Sequence, residues 1–128
     1  MSAFEILAIA GVLAALGVLV HVATVTEKTG SHALAAMLAG GFGGFTAITV
    51  FREGVMPVWL NHTQNLWGVQ VWWDLLISVG IALFFVVPRA RSAGMNVIPW
   101  IIFVALTASI GLLAMVARLF WLEKHTTA

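Results

Sequence analysis

The chain has 128 residues, of which 62% are hydrophobic and only 9% charged, and its formal net charge is +1. Soluble domains carry about 25% charged residues, so this composition excludes an ordinary water-exposed surface and predicts an integral membrane protein with a single domain over residues 1–128. The small net charge provides no basic face for nucleic acid, and the lack of cysteine excludes disulfides, thiolate metal sites and cysteine nucleophiles.

Four apolar segments are long enough to cross a bilayer, which requires about 20 helical residues. In chain order they cover residues 6–25, 33–51, 69–87 and 97–122. The first has the position of a secretory signal, but the residues before it include Glu5 and no basic side chain, and it exceeds the usual apolar length of about 7–15 residues. We therefore expect it to be retained, and the sequence predicts an all-α, up-down-up-down four-helix membrane bundle.

The connections between the segments define two sides of the predicted bundle. Side B carries the short turns 26–31 and 88–96, and side A carries both termini and the long connection 52–68. The basic loop residues are Lys28, Arg89 and Arg91 on side B, against Arg52 and Lys124 on side A. Because cytoplasmic loops carry an excess of Lys and Arg, we expect side B to face the cytoplasm and both termini to lie outside.

Small residues recur at helical spacing in three of the segments. The second segment carries Ala36, Gly40 and Gly44, the first carries Gly11 and Ala15, and the fourth carries Thr107, Gly111 and Ala114. Such stripes let membrane helices approach each other closely. We predict that they pack the bundle, with a lipid or pigment lying in the groove as the alternative.

Two ionisable residues lie inside the predicted spans, Asp74 in the third and Arg118 near the end of the fourth. An ionised group at such depth costs about 2.5–3.5 kcal/mol, so it usually faces protein and has a partner. The third span begins on side A, where the fourth is predicted to end, and we therefore predict an ion pair between Asp74 and Arg118. The pair either fixes the register of the two helices, or Asp74 acts as a proton donor or ligand contact.

Side A gathers polar and aromatic residues around this pair, including five of the six tryptophans, a residue type enriched at membrane interfaces. The predicted ligand-binding residues are Asp74, Arg118, Trp67, Gln70, Trp73, Trp121 and Asn65. The candidate catalytic residues are Asp74, Glu53 and His62. Solvation of the loop is the simpler interpretation of its polar residues. Because no histidines and carboxylates occur at metal-ligand spacing, we predict neither a metal nor a cofactor.

The chain from about residue 61 to residue 123 resembles a bacterial family of small four-helix membrane proteins, domain of unknown function 2834. The resemblance is carried by Asn65, Asp74-Leu75-Leu76-Ile77-Ser78, Arg91-Ser92-Ala93-Gly94-Met95, Pro99-Trp100, Gly111 and Arg118-Leu119-Phe120-Trp121-Leu122-Glu123. It implies a bacterial inner membrane, with both termini then in the periplasm, and it implies no activity. A fainter architectural resemblance is to fungal integral-membrane terpene cyclases, which use membrane-facing carboxylates as acids.

Two functions are compatible with these features. The first is an accessory subunit or a module that binds a small hydrophobic ligand, with a lipid bilayer, a larger membrane complex or a second copy, and a lipid, isoprenoid or pigment as partners. The alternative is an isoprenoid- or lipid-modifying membrane enzyme resembling a terpene cyclase, with Asp74 as general acid and tryptophan rings stabilising a carbocation. A transporter would require oligomerisation, because the chain contains no inverted repeat.

Overall fold

The computed structural model describes residues 1–126, which form six helices and no strand. The helices are α1 (Ala3–Thr24), α2 (His32–Glu53), α3 (Met56–Asn61), α4 (Leu66–Ser92), α5 (Val97–Thr107) and α6 (Ser109–Thr126). This confirms the prediction of an all-α chain. Three of the helices, α1, α2 and α4, are long and apolar enough to cross a membrane.

Short polar side chains set the starts of the three long helices. Ser2 and Glu5 form a reciprocal capping box on α1, with the Glu5 N–H 3.1 Å from the Ser2 hydroxyl and the Ser2 N–H 2.6 Å from a Glu5 carboxylate oxygen. Ser31 accepts the Leu34 N–H at the start of α2, and Asn65 accepts the Gly68 N–H at the start of α4. Each cap satisfies a donor that has no partner within its own helix.

The turn predicted over residues 88–96 is shorter in the structure, because α4 continues through Pro88 and ends at Ser92. Proline removes one backbone donor from a helix but does not always end it. The chain instead turns at Gly94, whose φ of +85° belongs to the left-handed region. The Met95 N–H bonds the Ala90 carbonyl and the Gly94 N–H bonds the Arg91 carbonyl, which is the Schellman arrangement that glycine favours at a helix end.

The fourth predicted span, 97–122, is not one helix: it breaks at Ala108 into α5 and α6. Ala108 has φ +53° and ψ −113°, a conformation that ends α5. The Thr107 hydroxyl donates to the Phe103 carbonyl and accepts the Gly111 N–H, both at 2.8 Å. This side chain therefore adds a bond to the last turn of α5 and takes the place of a backbone acceptor for the Gly111 N–H in α6. The residues that we interpreted as a small stripe on a continuous helix form the turn of a helical hairpin.

Because the chain reverses at Ala108, α6 returns to side B instead of crossing to side A. Its last turns lie beside the start of α2, where the His32 and His125 rings are 6.3 Å apart. The hairpin also forms the core, in which residues of α4, α5, α6 and the turn before α5 bury one another: Ala90, Met95, Val97, Val104, Met115 and Leu119. The described C-terminal residues thus lie at the end opposite to the predicted one.

The stripe that packs α2 differs from the predicted one. The buried Ala35 and the half-buried Ala39 and Gly43 belong to the packed side of α2, where a Cβ on Gly43 would lie 3.8 Å from Ile110 of α6. The predicted stripe of Ala36, Gly40 and Gly44 is exposed, with open space at both glycines. Similarly, no residue of α1 is buried. The small residues of α1 and of this second α2 face therefore pack nothing within residues 1–126.

Candidate functional site

An apolar cavity of about 490 Å³ lies between α4 and the tip of the α5–α6 hairpin. Its lining residues are Val58, Trp72, Leu75, Leu76, Val79, Gly80, Leu83, Ile101, Val104, Ala105, Leu106, Thr107 and Ala108. Trp72 and Thr107 are the lining residues whose side chains carry a polar group, an indole N–H and a hydroxyl. The size falls within the range of about 300–1,000 Å³ that is typical of ligand pockets.

The short reach of the hairpin creates this cavity. With 11 residues, α5 is about 16 Å long, roughly half the hydrocarbon thickness of a bilayer, about 30 Å. The hairpin starts on side B, so its tip stops well short of side A. One face of α4 borders the space between the hairpin tip and α3, and the side chains there leave the cavity between them.

Helix α3 fixes the tryptophan at the side A end of this cavity. The Trp72 ring contacts Trp59 edge-on, with ring centroids 6.3 Å apart, and it lies 5.5 Å from the His62 ring. The His62 Nδ1 is 2.6 Å from the Val58 carbonyl oxygen, which holds the imidazole against its own helix. The structure thus places His62, a candidate catalytic residue, beside Trp72.

A second, smaller recess of about 210 Å³ lies on another face of α4 and is lined by Trp67, Gln70, Val71 and Asp74. Successive residues of a helix are about 100° apart, so Asp74 lies about 140° around the helix from Val79 in the apolar cavity. Three predicted ligand-binding residues, Trp67, Gln70 and Asp74, therefore come together, but they face away from the larger cavity.

The predicted ion pair between Asp74 and Arg118 is absent from residues 1–126: both residues are exposed, and Arg118 lies over the Trp121 ring at 5.0 Å instead. The reversal at Ala108 explains the separation. Asp74 precedes Arg89 on α4 by about 22 Å of helix, whereas Arg118 precedes Glu123 on α6 by about 8 Å. Because Arg89 and Glu123 are in contact on side B, Asp74 and Arg118 lie at levels that differ by about 15 Å.

The ion pair that does form, between Arg89 and Glu123, ties three parts of the chain together on side B. The Arg89 Nε and Nη2 atoms are each 2.6 Å from a Glu123 carboxylate oxygen, a two-pronged contact, and Nη2 also donates to the Lys28 carbonyl at 2.6 Å. The Thr29 hydroxyl donates to Glu123 at 3.3 Å, and the guanidinium lies over the Phe120 ring at 5.5 Å. This cluster joins the α1–α2 turn to the last turns of α4 and α6.

The other predicted site residues are spread over side A and the hairpin. Asn65 is the cap of α4, Trp73 is exposed next to Asp74, and Trp121 stacks on His125 with ring centroids 4.2 Å apart on side B. Glu53 ends α2 and is exposed. Within residues 1–126, no hydrogen bond or ion pair joins Asp74, Glu53 and His62 into one catalytic group.

Sequence reasoning missed the apolar cavity and the cluster around Arg89. Both depend on the chain reversal, for which the sequence offers one local signal: Thr107 four residues before Gly111, within a segment that otherwise has helical spacing. A threonine hydroxyl can accept a backbone N–H at a helix start, and a glycine allows the close approach that the turn requires.

Comparisons with family models, with curated proteins and with solved structures found no match to this chain. The resemblance to domain of unknown function 2834 stays a prediction.

Proposed function

We propose that this protein is an integral membrane protein that binds a small hydrophobic molecule, of the lipid or isoprenoid class, in the cavity between α4 and the hairpin tip. The observation that carries the proposal is this cavity of about 490 Å³, which is lined mainly by apolar side chains of α4 and α5 and bordered by Trp72. Its lining suits a hydrocarbon chain, and the Trp72 indole N–H provides one donor for a hydroxyl or carbonyl group.

The surface of the molecule supports insertion into a membrane. All 22 residues of α1 are exposed, as are most large apolar side chains of α2 and α4. Exposed apolar patches on soluble proteins rarely exceed a few hundred Å², and a helix that is apolar on every side belongs in lipid or in a protein core. A bilayer provides the solvent for these faces.

The distribution of basic residues supports a cytoplasmic location for side B. Because α6 returns to side B, this side carries Lys28, Arg89, Arg91 and Lys124, whereas side A carries Arg52. The resulting excess of Lys and Arg is larger than in a bundle of four crossings. With three crossings, the start of α1 lies outside and the last turn of α6 lies in the cytoplasm.

The position of Asp74 favours a binding module over a cyclase-like enzyme. A general acid must come within hydrogen-bond reach of the group that it protonates, about 2.6–3.2 Å or one intervening water. Asp74 lies about 140° around α4 from Val79, so its carboxyl group faces away from a molecule held in the apolar cavity.

A photoactivatable isoprenoid tests the proposal. We would add a farnesol analogue bearing a diazirine to the purified protein in lipid nanodiscs, irradiate it, and map the labelled peptides by mass spectrometry. We expect saturable labelling of α4 between Trp72 and Leu83 and of α5, competed by unlabelled farnesol. Labelling of the exposed α1 should rise linearly with probe concentration and resist competition, which provides an internal control for partitioning.

A pair of glycine variants distinguishes the cavity from the lipid-facing surface. A Cβ on Gly80 or on Gly17 would meet no atom within 4 Å, so a side chain can begin at either position without a clash, but only Gly80 lines the cavity. Gly80→Leu should weaken probe binding at least about tenfold, equivalent to about 1.4 kcal/mol, while Gly17→Leu should leave it unchanged. Equal binding to both variants, or labelling that never saturates, would refute the proposed ligand site.

A further inference from the structure

No other helix of residues 1–126 covers the face of α4 that carries Asp74, although Asp74 lies eight residues after the start of this helix. The recess of about 210 Å³ on this face is lined by Trp67, Gln70, Val71 and Asp74. Trp67 is 80% exposed, and Trp73, which precedes Asp74, is 61% exposed. Within residues 1–126, no hydrogen bond or ion pair reaches the Asp74 carboxylate. The recess thus presents an anion, an amide and an aromatic ring together.

The depth of Asp74 makes this exposure costly in a membrane. Helix α4 has 27 residues and is about 40 Å long, and Asp74 lies about 12 Å from its first residue. If the hydrocarbon region of about 30 Å is centred on the helix, the carboxylate is about 7 Å inside it. Ionised groups at such positions usually have a partner, so the missing partner should be cationic.

The basic residues of this chain lie at other levels. Arg118 is about 15 Å closer to side B than Asp74, and Lys28, Arg89, Arg91 and Lys124 lie on side B itself. Arg52 is in the last turn of α2, about 10 Å closer to the side A surface. A second copy in the same orientation presents its basic residues at these same levels, so the fitting partner is a different chain.

We propose that the recess formed by Trp67, Gln70, Val71 and Asp74 docks a transmembrane helix of another protein, one that carries a Lys or Arg about 12 Å from its side A end. The cation bonds the Asp74 carboxylate and the Gln70 amide oxygen, and it lies against the Trp67 ring, since an aromatic face attracts a cation within about 6 Å. This inference rests on the proposed membrane insertion of α4, but not on the ligand cavity, which lies on another face.

A designed helix tests the docking in lipid vesicles. Because the chain contains no cysteine, Leu66→Cys, at an 83% exposed position that begins α4, accepts a single donor dye. The probe is a leucine-alanine transmembrane peptide with one Arg at the matching depth and an acceptor dye at its side A end. Energy transfer measured against peptide concentration gives an apparent affinity. We expect this affinity to be at least about tenfold higher for the Arg peptide than for a peptide with Leu at that position, equivalent to about 1.4 kcal/mol.

Charge exchange separates a specific pair from a general polar effect. Asp74→Asn should abolish the preference for the Arg peptide, and Asp74→Lys should transfer it to a peptide with Glu at the same depth. Glu53→Gln, which removes an exposed carboxylate at the end of α2, should leave the preference intact, and moving the Arg by two helical turns should remove it.

Three outcomes would overturn the inference. One is equal affinity for the Arg and Leu peptides, a second is a preference unaffected by Asp74→Asn, and a third is Asp74-dependent energy transfer between two copies of the chain. Extraction of every form by alkaline carbonate would refute membrane insertion, and with it both proposals. A failure limited to the peptide experiment leaves the photolabelling result on the apolar cavity standing.

Discussion

Replacing Gly111 with alanine should destabilise the α5–α6 hairpin, because the hairpin turn has no space for a methyl group. A Cβ at Gly111 would lie 2.5 Å from the Thr107 Oγ1 atom, 2.9 Å from the Phe103 carbonyl oxygen and 2.9 Å from the Val104 Cα. Two of these three atoms belong to the backbone and cannot rotate away. Gly111 is also buried, so the strain cannot be relieved by moving the methyl group outward.

The expected change in the free energy of unfolding combines three terms. Overpacking a tight site costs about 1–3 kcal/mol, and displacement of Thr107 loses its hydrogen bond to the Gly111 N–H, about 1 kcal/mol. Alanine is better than glycine within a helix by about 1 kcal/mol, which offsets the lost bond. We therefore expect Gly111→Ala to destabilise the protein by about 1–3 kcal/mol.

The matched control is Gly44→Ala on α2, where a Cβ meets no atom within 4 Å. Equilibrium unfolding in mixed detergent micelles, followed by tryptophan fluorescence, compares both variants with the parent chain, and Trp100 beside the hairpin core contributes to the signal. Gly44→Ala should be neutral or stabilising by up to about 1 kcal/mol. If Gly111→Ala behaves in the same way, residues 97–122 form a continuous helix and the hairpin is refuted.

Three other predictions concern the side B cluster. The double variant Arg89→Cys/Glu123→Cys should be linked by a short bismaleimide, whereas a continuous helix from Val97 would carry residue 123 about 39 Å from side B and prevent the linkage. A double-mutant cycle with Arg89→Met and Glu123→Gln should yield a coupling energy of about 1 kcal/mol, because these side chains are 39% and 20% exposed and exposed pairs contribute little. Zero coupling would show that the pair does not stabilise the fold. Gly30→Ala should destabilise by about 1 kcal/mol, because its Cβ would lie 2.5 Å from the Phe120 ring, and Phe120→Leu should relieve the strain in thermal unfolding; loss of stability without rescue would contradict this contact.

The helices that composition and capping define were predictable from the sequence. The bounds of α1, α2 and α4 differ from those of the predicted segments by one to five residues, since an apolar run of spanning length has few alternatives to a helix in lipid. Gln70 and Asp74 lie in the first turns of α4, as predicted, whereas Asn65 and Trp67, predicted in the connection 52–68, are the cap and the second residue of this helix. These local patterns specify the secondary structure, but not which face of a helix packs: on α2 the packed residues are Ala35, Ala39 and Gly43 and not the predicted Ala36, Gly40 and Gly44.

The chain reversal was not predictable from periodicity, because residues 97–122 keep an apolar pattern through the break. Ala108 is a good helix former, and it adopts φ +53° because Thr107 and Gly111 stabilise the turn and the Arg89–Glu123 contact holds α6 on side B. These interactions link residues far apart in the sequence. Predicting the pair between Asp74 and Arg118 required the opposite assumption, namely that the fourth segment ends on side A.

The reversal at Ala108 also explains why the two proposed sites occur on the same helix. A fourth crossing would occupy the space beside Trp72 and Leu76, and its Arg118 would neutralise Asp74 at the same depth. The hairpin stops short, so one face of α4 borders the apolar cavity while the carboxylate on another face has no cation beside it within residues 1–126. An apolar molecule and a basic helix complement different faces of α4, and binding at either face should stabilise the folded chain by mass action.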